Sequence, residues 1–105
     1  MNFMAVDFTN TKFTDIDLDF VKHYLRIEPE LTEDDIEITL IIDSAKGFVL
    51  EHTDMSLEEL NETKSANIIY LRMISELYHN RSVTNGTSID PIYEMLLRNV
   101  RKHSL

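Results

Sequence analysis

Apolar residues recur along this chain at intervals of three and four, the spacing that lines one face of an α-helix, rather than in the strict alternation of a half-buried strand. Two glycines and two prolines are the only strong breakers in 105 residues, so the pattern predicts four helices joined by short loops, an all-α, four-helix bundle-like domain. Helix one is expected from about Asp15 to Ile27, striped by Leu18, Val21 and Leu25. Thr14 or Asp15 would cap it, and Asp17 and Asp19 suit the positive end of its dipole. Pro29 stops it. Thr32 then opens helix two with Asp35 three residues on, an acidic variant of the capping box, and the helix should reach about His52. Ser56 and Glu59 cap a short turn before helix three, expected from Asn61 to Arg81 with Ala66, Ile69, Tyr70, Met73 and Leu77 as its stripe. Residues 82–88, centred on Asn85-Gly86, are turn material. Asp90-Pro91 then gives an N-cap and a first-position proline to helix four, which is expected to bury Ile92, Tyr93, Leu96, Leu97 and Val100. Residues 1–13, with irregularly spaced Phe3, Phe8 and Phe13, fit neither period and read as an extended arm ahead of one helical domain, 14–105.

Helix two is apolar on two sides. At about 100° per residue, Ile38, Ile41, Ile42, Ala45, Phe48 and Val49 form a core stripe, while Ile36, Leu40 and Leu50 fall nearly opposite, together with Gly47. A glycine inside a helix costs roughly 1 kcal/mol relative to alanine unless a close approach compensates it. With so few helices to cover it, the second face is expected to be shared with another chain.

Charge sharpens that expectation. The net −9 is uneven: residues 1–62 carry 16 acidic and four basic residues (net −12), residues 63–105 three and six (net +3). So acidic a chain repels phosphate over most of its surface, which argues against general nucleic-acid binding but suits a wall that DNA slides past. Arg98, Arg101 and Lys102 on helix four complement the negative end of its dipole, or dock an acidic partner such as the N-terminal half of a neighbouring copy.

Candidate chemistry is sparse. Asp15, Asp17 and Asp19 alternate like the first ligands of a calcium loop, but Phe20 and Arg26 stand where that loop needs glycine and glutamate, so helix capping is the better reading. His23, His52, His79 and His103 sit on separate segments and offer no convergent zinc set. No nucleophile lies in an activating motif, and no glycine-rich phosphate loop occurs, so neither enzyme, cofactor nor metal is expected. There is no cysteine, no secretory pattern at the start and no apolar run of membrane-spanning length, so the three glycosylation-type triplets carry no weight and no membrane role is expected.

Val21-Lys22-His23-Tyr24-Leu25-Arg26-Ile27 closes the first helix, the acidic Glu33-Asp34-Asp35 opens a long helix that carries Ala45, Tyr78-His79-Asn80-Arg81 closes the third, and a proline-started last helix bears Leu96 and Leu97. The first of these is similar to a "VKxYLRI" helix end and the third to a "hYxNR" closing segment, and in this order the segments resemble the head-tail connector (adaptor, or head-completion) family of long-tailed phages and prophages, over roughly residues 15–103. The arm, and the length and basic character of the last helix, are additions to that pattern. The resemblance implies a structural ring, commonly twelve-fold, beneath the portal of the virion, continuing the DNA channel to the tail. Its partners would be copies of itself, the portal and a tail-proximal head-completion or tail protein, with DNA only as passing cargo and synthesis in the bacterial cytoplasm. It marks Lys22, Tyr24, Leu25, Arg26, Asp35, Ala45, Tyr78, Asn80 and Arg81 as structural positions. An acidic binding module that mimics DNA to inhibit a host protein also fits the charge, but leaves the second apolar face unexplained.

Overall fold

A computed structural model describes the backbone of residues 11–80 and 90–104, and the side chains of 11–80 and 90–100. The expected Asn85-Gly86 turn and most of the arm lie outside the described residues. Within them the protein is all-α: a 3-10 turn at Phe13–Asp15, then α1 (Leu18–Tyr24), α2 (Asp35–Thr53), α3 (Leu57–Asn61), α4 (Lys64–His79) and α5 (Pro91–Ser104). Helices α2, α4 and α5 pack mutually around one core; α1 lies on α2, and α3 with the 3-10 turn closes one end against α4. The molecule is flat, with principal extents of 41 × 32 × 16 Å. Its shortest dimension is about two helix layers at 8–10 Å spacing, too thin to enclose α2 on both sides.

Helix one is shorter than expected, for two local reasons. Asp17, rather than Thr14 or Asp15, caps it by accepting the Phe20 N–H at 2.9 Å, while Asp15 instead accepts the Lys12 N–H at 3.2 Å and holds the preceding 3-10 turn. At the other end Arg26 adopts φ 62°, and the Ile27 and Arg26 N–H groups reach back to the Lys22 and His23 carbonyls at 2.8 and 3.1 Å. This is a Schellman stop with arginine at the left-handed position usually given to glycine. Asp54 also ends α2 in the left-handed region, at φ 55°, through the simpler motif of a single bond from its N–H to the Leu50 carbonyl at 3.1 Å. The Ser56–Glu59 capping box forms reciprocally, at 2.9 and 3.1 Å, but it opens the separate one-turn helix α3, and the long third helix begins only at Lys64.

The described residues ahead of α1 are anchored on α3 and α4. Phe13 is fully buried and tilts against Tyr70 with ring centroids 4.5 Å apart; Asn67 donates its amide to the Thr11 carbonyl, and Thr14 donates its N–H to Asn61. Residues 11–14 are thus tied to α3 and α4 by these contacts. Of the five residues expected to be buried on α5, Tyr93, Leu97 and Val100 are, whereas Ile92 and Leu96 stand exposed, which corrects that expectation. The helix carries more apolar residues than one contact face can cover.

Candidate functional site

Three segments converge at the start of α2. Lys22, on α1, is buried to 3% exposure, and its ammonium donates to the Pro29 and Leu31 carbonyls at 3.0 and 2.7 Å while pairing with the Asp35 carboxylate at 2.9 Å. Two of its N–H donors thus meet carbonyl acceptors and the adjacent carboxylate balances its charge, the condition under which a buried cation is tolerated. The neighbouring Asp34 accepts the Tyr78 hydroxyl from the end of α4 at 2.9 Å. Lysine and tyrosine together tie the 28–34 loop and both flanking helices to one point, so the direction of α2 is fixed. Tyr24 and Leu25 are half-buried beside this junction, but Arg26 lies beyond the helix end and is exposed. Ala45 sits fully buried at the middle of the α2 core stripe, and Asn80 caps α4 with its N–H on the Glu76 carbonyl at 3.0 Å. Arg81 lies outside the described residues.

Along α2, the side away from the core carries Ile36 at 80% and Leu40 at 61% exposure, and Gly47 is exposed with them. A Cβ built on Gly47 meets nothing within 4 Å, so nothing among the described residues requires a glycine there. Leu50 departs from the expectation: it is half-buried and packs on the core cluster, so the outer face ends near Gly47. Exposed Glu37, Asp43 and Glu51 border the face.

Helix α5 presents a second apolar surface, with Ile92, Met95 and Leu96 at 49%, 58% and 37% exposure. Met95 went unremarked in the sequence because single exposed methionines are ordinary; its significance comes from its two neighbours. Arg98 is largely exposed and pairs with Glu94 one turn earlier at 2.7 Å, and Glu94 also lies 3.6 Å from the His52 ring at the end of α2. The side chains of Arg101 and Lys102 lie outside the described residues. The Tyr93 hydroxyl donates to Glu76 at 2.9 Å; burial, then this bond and the Glu76 charge, push its pKa up to about 12 against the opposing effect of Arg72. Burial raises Tyr70 as well, assisted by Asp43. Both tyrosines thus move away from neutral pH, the wrong direction for acid–base work. Among the described residues no group of three or more His, Cys, Asp or Glu is placed to hold a metal ion, and no helix there is long and apolar enough to cross a membrane.

What the geometry offers is a braced helix with an uncovered apolar side, and a second such side on α5. Comparison with known families assigns this arrangement. The model of the phage gp6-like head-tail connector protein matches residues 15–103. The chain belongs to that head-tail connector family. No curated protein and no solved structure gives a match. The matched span runs from the last residue of the 3-10 turn to the penultimate residue of α5, so the Lys22–Asp35 junction, the outer face of α2 and the exposed side of α5 all belong to the connector domain. A connector of this family is a structural part of the virion, and membership implies interaction with other phage head and tail proteins.

Proposed function

We propose that copies of this connector form a ring beneath the portal and carry the DNA channel on to the tail, as a head-completion adaptor in a phage or prophage. The observation that carries the reading is the outer face of α2, where Ile36 and Leu40 are exposed around a glycine with open space about it. An exposed apolar strip and a helix-weakening glycine both cost the isolated chain, and an abutting subunit is what would offset them. Ile36, Leu40 and Gly47, with Leu50 at the inner margin, then form one subunit interface, and Arg98, Arg101 and Lys102 contribute to another. The portal and a tail-proximal head-completion or tail protein are the remaining partners. DNA passes as cargo along a wall of mainly like charge, and neither cofactor nor catalysis is involved.

Leu40→Asp tests this. The variant should keep the far-ultraviolet circular dichroism and melting temperature of the parent, since Leu40 is largely in solvent, yet lose the ability to join filled heads to tails in complementation. A carboxylate buried unpaired costs several kcal/mol at every boundary of a closed ring. An unfolded variant would return the face to the protein's own core, and a folded variant that joins normally would remove Leu40 from the interface. The charge of −9 favours one other reading, a DNA-mimicking inhibitor; it predicts a salt-sensitive complex with a basic host protein that Leu40→Asp leaves intact.

A further inference from the structure

Building on the proposed ring, the geometry points to which surfaces meet: we infer that the acidic-bordered outer face of α2 in one copy receives the exposed face of α5 in the next. Helices α2 and α5 pack together on their buried sides, so their outer faces point away from that shared contact, and neither can cover the other within one chain. Each needs a second molecule. Pairing α2 with α2 would bring Glu37, Asp43 and Glu51 against their own copies, with Lys46 the only lysine or arginine of the helix. Pairing α2 with α5 instead sets that border against a segment whose half of the chain is net +3 and which bears the exposed Arg98. On the apolar side, Ile36 and Leu40 meet Ile92, Met95 and Leu96, and the open space at Gly47 admits the approaching helix. Such a contact is heterologous. Using one face leaves the other free, so the assembly propagates until it closes, whereas a symmetric pairing of like faces would stop at a dimer.

The chain has no cysteine, so engineered thiols report this contact without background. Leu40→Cys, Met95→Cys and the double variant are each co-expressed with the wild-type chain during phage growth, and purified joined particles are treated with a short bis-maleimide and separated on denaturing gels. The inference predicts a ladder of oligomers from the double variant and monomers alone from each single variant. Double variant present in joined particles but uncrosslinked would overturn the pairing, and dimers from Leu40→Cys alone would replace it with a symmetric one. If no particle contains the chain at all, the connector reading itself fails, a result distinct from either. Should the cysteine variants be excluded from particles, the reversal pair decides: Glu37→Lys and Arg98→Glu each lower joined-particle yield by about tenfold, and their combination restores it. Failure of the combination to restore yield overturns the pairing.

Discussion

Gly47→Ala separates the cost of the α2 surface to the free chain from its use in assembly. Gly47 lies in the thirteenth position of a 19-residue helix, exposed, at an ordinary φ, and its missing Cβ would touch nothing. Adding the methyl should therefore stabilise the isolated protein by the intrinsic helix preference, about 0.5–1 kcal/mol. For a domain of this size that corresponds to a rise of about 2–8 °C in melting temperature. In the proposed ring, the same methyl would enter the space of a neighbouring helix, and overpacking costs typically about 1–3 kcal/mol per contact, recurring at each boundary. The variant is thus expected to melt higher and to join heads to tails less well. Paired thermal melts and complementation titres measure both. A fall in melting temperature would mean that the position is crowded within the chain, and a rise with undiminished joining would mean that no partner approaches Gly47.

The junction at α2 predicts an asymmetry: Lys22→Met strips donors from two carbonyls and the counter-charge from a carboxylate and should cost about 2–4 kcal/mol in urea unfolding, whereas Asp35→Asn leaves both carbonyl bonds and should cost about 1 kcal/mol; equal costs would contradict the hub. Alkaline pH should destabilise the fold through Tyr93 and Tyr70. Because their folded pKa values lie above the ordinary 10.0, their contribution is complete below pH 10 and is lost as pH rises, for Tyr93 through about 12. Stability measured at pH 9 and pH 11 should fall less in the Tyr93→Phe and Tyr70→Phe double variant than in the parent, and an unchanged slope would refute the assignment.

Helix existence was legible because a period near 3.6 is set by the core that α2, α4 and α5 share, and the exposed second face of α2 follows from the same arithmetic. Boundaries were less so. Thr14, Asp15 and Asp17 are all competent caps, and which one wins depends on Phe13 being drawn against Tyr70, a contact 57 residues away in sequence. The burial of Lys22 had no local sign, since lysine is rarely buried and two of its three partners are backbone carbonyls that any residue would provide. The α5 surface was misread because Ile92, Leu96 and Leu97 look alike in sequence, and only the angle at which α5 meets α2 and α4 decides which of them is covered. Segment order, by contrast, carried the family: Lys22, Asp34-Asp35 and Tyr78, far apart in the chain, meet at one junction.

The central claim, that this chain completes the head for tail attachment, is tested most directly by electron microscopy of lysates from a phage lacking its reading frame, with and without the wild-type chain supplied in trans. The account predicts filled heads and separate tails in its absence, and joined particles carrying a ring of the chain below the portal when it is restored. Normally joined, infectious particles formed without the chain would contradict it.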